Sequence, residues 1–255
     1  MTSARQIFVG THGKKLPYDA EVEYLGMNLQ SQKQYLMFQT IPGFDSNEIG
    51  QSDVVMLCLR SAFTKPQSGR NFIASLGIDE YFHYVEIRES QIGGYAYGRP
   101  IALFDYEDGE PIRIAMQVSA GSFDVTFQIA GEDMVMHYGE PSKRVAPATI
   151  GCLLGVALNY SAAKQLLMEA SFEVNGVTAW DAYSVRFTNE MGQAEGAMYD
   201  RVSGQLFRNA GKGAFTVGPD KTANLNGGGK CLTYLQQSLL RHVRVRTAGL
   251  WKEAA

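Results

Sequence analysis

The chain has 255 residues, 45% of them hydrophobic and 19% charged, and a formal net charge of −3 at pH 7. This is the composition of an ordinary soluble globular protein, and the length suits one main domain with appended ends. The three cysteines, Cys58, Cys152 and Cys231, are far apart in the sequence, which argues against a disulfide framework and a thiolate metal site.

The charge is distributed unevenly along the chain. Residues 1–17 carry a net charge of +3 and residues 230–255 a net charge of +4, so the body between them has a net charge of −10. Basic ends on an acidic body indicate that the ends dock onto something acidic, either a neighbouring copy, another assembly protein or their own body. Nucleic acid is not expected as a partner, because no basic patch interleaved with aromatic residues lies along the body.

The first 15 residues contain no apolar segment of the kind found in secretory signals. The weakly polar stretch 145–160 is too short and too rich in glycine to span a bilayer. We therefore expect synthesis in a cytoplasm, without a signal peptide and without membrane insertion. A virion protein fits this expectation, because it is folded in the host cytoplasm and released by lysis.

Taken in order, the sequence predicts a body made almost entirely of β-strands. Short runs rich in β-branched and aromatic residues are separated by Gly, Pro, Asn and Asp. The predicted strands are 5–9, 20–25, 35–41, 54–59, 72–76, 81–87, 94–104, 112–118, 123–129, 134–138, 150–158, 171–174, 177–183 and 185–187. Pro100 is expected at an edge or a bend, and residues 162–169 are expected to form a helix or a loop.

Two dipeptides, Asp108-Gly109 and Asn175-Gly176, predict tight hairpins, because both are favoured in two-residue turns with positive φ. Strands recur about every 8–12 residues without intervening helices. This pattern predicts an all-β fold, an antiparallel two-sheet jelly-roll sandwich over residues 18–219.

The segment 198–219 places turn residues at short intervals between apolar and aromatic ones. We expect the chain to fold back at Ser203-Gly204 and to turn again over 209–213, because Gly and Asn accept positive φ at little cost. Its ordered pattern consists of Tyr199, Asp200, Val202, Ser203, Gly204, Phe207, Asn209, Ala210, Gly211, Gly213 and Phe215. The pattern resembles the closing segment of the concanavalin A-like (laminin-G-type) lectin/glucanase superfamily, in the version found in proteins of bacteriophages, prophages and gut bacteria.

The resemblance implies a concanavalin A-like jelly roll and places Gln34-Tyr35 in one of its opening strands. It implies a structural role for the motif residues, which form a hairpin that closes the sandwich. Several members of the superfamily use calcium, which needs converging carboxylates and carbonyls. The sequence does not show which groups could converge, and no cofactor or metal is predicted.

Beyond Pro219 the composition changes. Residues 220–230 are predicted to be a Gly/Asn linker, and residues 231–255 an amphipathic tail with a short helix. This tail and the basic arm of residues 1–17 are candidate assembly devices, which pack either on their own sandwich or on a partner. The basic residues proposed for docking are Lys14, Lys15, Arg241, Arg244 and Arg246.

The sequence contains no recognisable catalytic signature. The acidic clusters at 21–23 and 105–108 are better explained as solvated surface than as a glycosidase pair. The Glu-x-Asp-x-x-Glu-like signature of the glucanases in the superfamily has no match, and the four histidines lack metal-ligand spacing. The sequence therefore predicts a non-enzymatic protein.

Carbohydrate binding is the remaining class of function. Sugars pack on aromatic faces, and their hydroxyls bind charged and amide side chains. On an alternating strand half of the aromatic residues face the core, so core packing is the alternative for each candidate. The candidates for glycan binding are Asp79, Tyr81, Tyr95, Tyr97, Arg99, Trp180, Asp181 and Tyr183.

Three functions stay open at this point. A structural virion protein of a phage is favoured by the lack of a signal peptide, by the basic ends and by the closing motif. Such a protein would be a capsid decoration or a tail-associated subunit. Such a subunit would contact other virion proteins or copies of itself, and its lectin-like fold would contact host glycans. The alternatives are a free carbohydrate-binding lectin and a glycoside hydrolase.

Overall fold

The computed structural model describes residues 16–29, 34–66, 70–77, 83–96, 99–139, 143–152 and 161–221. Every regular element within these ranges is a β-strand. The strands are β1 (Ala20–Glu21), β2 (Leu25–Met27), β3 (Leu36–Phe38), β4 (Val54–Phe63), β5 (Arg70–Leu76), β6 (His83–Arg88), β7 (Gln91–Ala96), β8 (Arg99–Asp105), β9 (Pro111–Ser119), β10 (Ser122–Ile129), β11 (Glu132–Gly139), β12 (Ala148–Ile150), β13 (Ser161–Ala162), β14 (Gln165–Val174), β15 (Val177–Thr188), β16 (Ala194–Asp200), β17 (Leu206–Phe207) and β18 (Thr216–Val217). A helix able to cross a bilayer does not occur in these ranges.

The strands form two sheets. The larger sheet has the order β11-β10-β9-β4-β14-β15-β16-β17, with β1 paired to β15 and β2 paired to both β14 and β18. The smaller sheet has the order β3-β12-β5-β6-β7-β8. In the described strands the pairing is antiparallel except between β13 and β5, which run parallel over two residues. The predicted all-β, antiparallel two-sheet sandwich is confirmed.

Alternation along the strands places one continuous core between the sheets. In β9 and β10, which pair through Phe123 and Val118, every second residue is apolar and buried. These side chains share a core with Val85 and Ile87 of the smaller sheet. Each fully buried side chain of this size stabilises the fold by about 1.5–3 kcal/mol relative to an exposed one. The intervening residues of β9 and β10 lie on the opposite side of the larger sheet, which we call the outer face.

Two predicted elements are wrong. Residues 162–169 do not form a helix, and only 163–164 are a loop, because β14 begins at Gln165 and pairs with both β2 and β4. This pairing buries Leu167, and tertiary contacts of that kind override a local helical pattern. Residues 94–104 are not one strand, because they are divided between β7 and β8, which pair antiparallel.

The two predicted hairpin dipeptides have different outcomes. Asn175 and Gly176 join β14 to β15 with φ of 52° and 78°, which confirms a tight hairpin. Gly109 also has a positive φ, of 79°, but the strands on either side of Asp108-Gly109 belong to different sheets. That turn therefore carries the chain from the smaller sheet to the larger one. Its Asp108 carboxylate accepts a hydrogen bond from the backbone N–H of Lys65 at 2.7 Å.

The closing segment is held to the body of the sandwich by Asn209. Its amide oxygen accepts hydrogen bonds from the backbone N–H groups of Tyr35 and Gly211, both at 2.9 Å. Its amide nitrogen donates to the carbonyls of Lys212 at 3.1 Å and Gly213 at 2.5 Å. One side chain thus fixes the turn and fastens it to the chain just before β3.

A second polar side chain of the motif, Asp200, is buried in the turn after β16. Its carboxylate accepts hydrogen bonds from the backbone N–H groups of Asp181 at 2.9 Å, Val202 at 3.0 Å and Ser203 at 2.9 Å. Gly204 completes this turn with a φ of 72°. A buried carboxylate with this many donors is satisfied, and its role is structural.

Several predicted features lie outside the described residues. They are the strand 5–9, most of the strand 150–158, the basic arm with Lys14 and Lys15, nearly all of the linker, and the C-terminal tail with Arg241, Arg244 and Arg246.

The two glycines that follow Asn209 differ in backbone conformation, which generates a stability prediction. Gly213 has a φ of 73°, whereas Gly211 does not have the positive φ that the turn pattern suggested. Valine is strained at positive φ, so Gly213→Val should lower the free energy of unfolding by about 1–3 kcal/mol. Urea denaturation measures the change, with Gly211→Val as the matched control. Equal losses in the two variants would contradict the assignment of strain to Gly213.

Candidate functional site

The outer face of the larger sheet carries three parallel rows of side chains across β10, β9, β4 and β14. Strand register determines these rows, because directly paired residues of neighbouring strands lie on the same face. The arginine row consists of Gln128, Arg113, Arg60 and Glu169. The floor row consists of Thr126, Ala115, Cys58 and Ser171. The glutamine row consists of Asp124, Gln117, Met56 and Glu173.

The side-chain lengths in these rows indicate a groove that crosses the strands. The floor row contains only short side chains, whereas most side chains of the two flanking rows are long. The flanking rows lie four residues apart along each strand, which separates them by about 13 Å, and four strands give the groove a length of about 14 Å. The floor side chains are half-buried. An extended ligand can therefore lie on the floor and reach polar groups on both sides.

A β-bulge places Glu169 on the groove. Leu167 pairs with Ser61 on the core side of β14, and strict alternation would also direct residue 169 to the core. The register shifts between Leu167 and Glu169, so Met168 is the extra residue. The shift brings Glu169 opposite Arg60 on the outer face.

The rows continue at one end onto β15. Asp181 pairs with Ser171 and extends the floor row, while Tyr183 pairs with Glu169 and extends the arginine row. The Arg201 guanidinium binds both carboxylate oxygens of Asp181 at 2.9 Å and stacks over the Tyr183 ring at 4.3 Å. Burial raises the pKa of the Tyr183 phenol, so this group keeps its proton, and its hydroxyl lies 2.6 Å from the hydroxyl of Tyr18.

The opposite end of the groove has a histidine held by an aspartate. His137 Nδ1 lies 2.6 Å from Asp124 Oδ1, and the hydroxyl of Ser122 donates to the other oxygen of that carboxylate at 2.8 Å. The His137 side chain is 68% exposed. The carboxylate therefore orients an imidazole ring that is open to solvent.

Two titratable groups in the groove have altered acidity. Burial raises the pKa of the Cys58 thiol to about 12, with a further contribution from the negative charge of Glu173. The thiol is therefore protonated and unreactive at neutral pH. Glu173 is 8% exposed, and burial raises the pKa of its carboxyl group. It consequently retains its proton to a higher pH than an exposed glutamate does.

Within the described ranges, no cluster of three or more His, Cys, Asp and Glu side chains is arranged to hold an ion.

The structure separates the glycan-binding candidates chosen from the sequence. Asp181 and Tyr183 lie on the outer face at the end of the groove, where Tyr183 is largely buried beneath Arg201. Trp180 is 1% exposed and packs in the core against Phe38, so it cannot present its ring to a ligand from solvent. Adjacent residues of a strand point to opposite faces, which separates Trp180 from Asp181.

Two other candidates lie on the smaller sheet. Tyr95 lies in β7 of the smaller sheet, is fully buried and stacks on Tyr84 at 5.1 Å, so it too is unsuited to direct glycan contact. Arg99 lies in β8 of the same sheet. Tyr97, Asp79 and Tyr81 lie outside the described residues.

Sequence reasoning missed the residues that line the groove. Arg60, Arg113 and Glu169 are polar positions within strands and carry no motif. The sequence indicated only that each occupies a position facing away from the core in an alternating strand. Their convergence depends on the pairing of β9, β4 and β14, which the sequence does not display.

The fold and the groove define a two-sheet β-sandwich with a polar groove across its larger sheet. No family model matches the chain, and no curated protein matches it. Among solved structures, it is similar to a putative carbohydrate binding protein from Bacteroides ovatus, with 11% identity, a TM-score of 0.50, and coverage of 79% of this chain and 61% of that one. This similarity supports the sandwich fold.

Two further solved structures are similar to the chain with lower scores. The alginate lyase AlgAT5 of polysaccharide lyase family 7 is 10% identical, with a TM-score of 0.38 and coverage of 61% of this chain and 84% of that one. The enzymatically active domain of tailspike protein 2 from bacteriophage CBA120 is 11% identical, with a TM-score of 0.40. The match covers 66% of this chain and 30% of the tailspike domain.

The comparison with solved structures contradicts the prediction of a non-enzymatic protein. Several of the similar structures are alginate lyases, and another is an enzymatically active domain. The sequence-based exclusion relied on residues close together in the chain. In this fold, however, a groove is lined by residues from four separate strands, so the lack of a local signature does not exclude an enzyme.

The buried carboxyl group of Glu173 generates a prediction about stability and pH. Its pKa is higher in the folded than in the unfolded chain, so its ionisation destabilises the folded state as pH rises through and above the unfolded value. Glu173→Gln removes this penalty. The variant should therefore gain thermal stability relative to the unmodified protein as pH is raised from about 4 to about 7.

Thermal unfolding across that pH range measures the difference. The matched control is Glu190→Gln, which replaces an exposed glutamate in the turn after β15. A constant difference between Glu173→Gln and the unmodified protein at every pH would show that Glu173 is not desolvated.

Proposed function

We propose that this domain binds carbohydrate and that the groove on the outer face of the larger sheet is its binding surface. The observation that carries the proposal is the floor of short side chains between two rows that are polar except at Met56. Glycans bind through hydrogen bonds from their hydroxyls to carboxylate, amide and guanidinium groups. Glu169, Gln117 and Arg60 supply one of each around the floor.

The similarity to the putative carbohydrate binding protein from Bacteroides ovatus agrees with this proposal. That similarity concerns the fold, and the groove supplies the chemical argument. The predicted sugar-binding role of Asp181 is retained in a changed form, because Asp181 extends the floor of the groove and holds Arg201 beside it. Trp180 has no part in it.

Filling the floor tests the proposal directly. Ala115 lies between Thr126 and Cys58, and Ala115→Phe would put an aromatic ring where the ligand is proposed to lie. Binding should fall by roughly tenfold or more, since steric exclusion removes several hydrogen bonds of about 1 kcal/mol each. A glycan array followed by calorimetry with the best glycan measures the effect.

Met191→Phe is the matched control, because Met191 is 81% exposed in the turn between β15 and β16, away from the groove. It should leave binding unchanged. Undiminished binding by a folded Ala115→Phe variant would place the glycan elsewhere.

A second candidate function is cleavage of the bound glycan. The observation that favours it is the adjacency of Arg60 and Glu169 on neighbouring strands. This arrangement combines a cation and a carboxylate, which are groups that can stabilise charge and transfer protons. Incubation with the best-binding polysaccharide, followed by size analysis of the products, tests for cleavage. Loss of cleavage in Glu169→Gln with retained binding would assign the chemistry to this row.

We further propose that the domain belongs to a phage particle, where it contacts other virion proteins or copies of itself. The closing motif, including Asp200, Asn209 and Gly213, supports this proposal through its resemblance to phage and prophage proteins. Mass spectrometry of purified particles from a lysate tests it. Absence of the chain from particles that carry all other structural proteins would refute the virion assignment.

A further inference from the structure

The strand β11 forms one edge of the larger sheet. It is eight residues long and pairs with β10 over its whole length without a register shift. No other strand of the described residues pairs with it. A long, regular edge of this kind presents a row of backbone N–H and C=O groups to which a further strand can bind.

The other terminal strands of the two sheets carry features that block such pairing. β17 has only two residues and β3 only three. β8 contains Pro100, and its pairing with β7 has a register shift. Short strands, proline and bulges all hinder edge-to-edge association, and β11 has none of them. It also contains no lysine, and its two acidic residues lie at the end next to the turn.

The register of the hairpin determines which backbone groups of β11 point outward. β10 and β11 are joined by the two-residue turn Ala130-Gly131, in which both residues have positive φ. The residues that flank such a turn form a hydrogen-bonded pair, and pairs of this kind alternate with pairs that are not bonded. Val135 and His137 belong to the second kind, so their N–H and C=O groups point away from β10. Within the described residues no backbone hydrogen bond reaches these groups.

Val135 lies near the middle of this edge and is 65% exposed. It pairs with Thr126, so it extends the floor row of the groove onto β11. A second β11 that runs antiparallel, with Val135 opposite Val135, would exchange two N–H···O bonds between these residues. The two valine side chains would then contact each other across the strands and lose part of their exposure.

We propose that β11 pairs antiparallel with β11 of a second copy of the chain, about a twofold axis that passes between the two Val135 residues. The same strand supplies both halves of the interface, as a twofold dimer requires. The axis is perpendicular to the sheet, so the outer faces of the two copies lie on the same side. The two larger sheets thereby form one continuous sheet.

This pairing joins the grooves of the two copies end to end, a consequence that rests on the proposed carbohydrate-binding function. The axis lies on the floor row, so the two floors meet at Val135 and continue into each other. Five strands from each copy then carry one floor about 43 Å long, since neighbouring strands are about 4.8 Å apart. A long polymer can contact both copies, and its second contact is intramolecular, which raises the affinity without any new kind of contact. The ligand that fits this arrangement is a polysaccharide rather than a short oligosaccharide.

Sedimentation velocity across protein concentrations from about 1 to 500 µM measures the association. The unmodified chain should change from monomer to dimer in this range, because an eight-residue edge gives a small interface. Val135→Lys should weaken the dimer by roughly tenfold or more, since the twofold axis places the two introduced charges opposite each other. Val135→Pro should do the same and remain folded, because the ladder to β10 does not use the N–H of this residue.

Val177→Lys is the matched control. Val177 has a similar exposure of 67% and lies next to the turn between β14 and β15. The substitution should leave the association unchanged. A dimer that folded Val135→Lys does not weaken, or that both variants weaken equally, would place the interface elsewhere and overturn the inference. A chain that stays monomeric at every concentration would also overturn it, while the carbohydrate-binding function would stand.

Hydrogen exchange tests whether another part of the same chain occupies the edge. The amide of Val135 should exchange quickly in dilute protein and slowly in concentrated protein, because only the dimer protects it. Protection that does not depend on concentration would show that the chain covers its own edge, and pairing with a second copy would be rejected.

The joined groove is tested separately, with the polysaccharide that binds best on the glycan array and with short oligosaccharides of the same repeat. The unmodified protein should bind the polysaccharide roughly tenfold or more tightly per repeat. Val135→Lys should reduce this ratio to about twofold or less, and Val177→Lys should keep it. An unchanged ratio in Val135→Lys would overturn the joined groove. Absence of binding to any glycan would reject the carbohydrate-binding function but not the dimer.

Discussion

The strand β14 and its pairing on both sides is the constraint on which the rest of the structure depends. It joins β4 to β15 at the middle of the larger sheet. The choice of which alternate residues of β14 face the core therefore determines which side chains of β4 and β15 share a face with them. The bulge of β14 at Met168 changes this choice once along the strand. Leu167 and Phe172 are consequently both directed to the core, and Glu169 and Ser171 both to the outer face. Without the extra residue, strict alternation would direct Leu167 and Phe172 to opposite faces of the sheet.

The closing segment shows a different way of holding the sandwich together. β17 and β18 are two residues each and make few ladder bonds of their own. Side-chain hydrogen bonds from Asp200 and Asn209 replace those bonds, and Phe207 packs on Phe38 and Trp180 across the core. The segment is thus fixed by polar turns and by the two aromatic contacts of Phe207. This explains why its sequence pattern is recognisable, since each of these roles admits few residue types.

Sequence reasoning succeeded where the information is local and failed where it is not. The alternation in β9 and β10 and the Asn175-Gly176 turn follow from properties of neighbouring residues, and both were predicted. Trp180 and Asp181 were grouped because they are adjacent, although alternation sends them to opposite faces. The groove could not be predicted at all. It requires the register between strands that are far apart in the chain, and a bulge that no residue type specifies.

The outer face contains a feature that opposes stability. Burial makes the ionisation of Glu173 unfavourable. The fold does not require this carboxyl group, because the core side of the same strand supplies the apolar burial that holds the sheets together. Groups that a protein keeps at a cost to stability are better explained by what they bind than by what they hold in place. Glu173 in the groove is kept at such a cost, whereas the carboxylate of Asp200 and the amide of Asn209 are satisfied by hydrogen bonds and stabilise their turns. This contrast distinguishes the proposed binding residues from the structural ones.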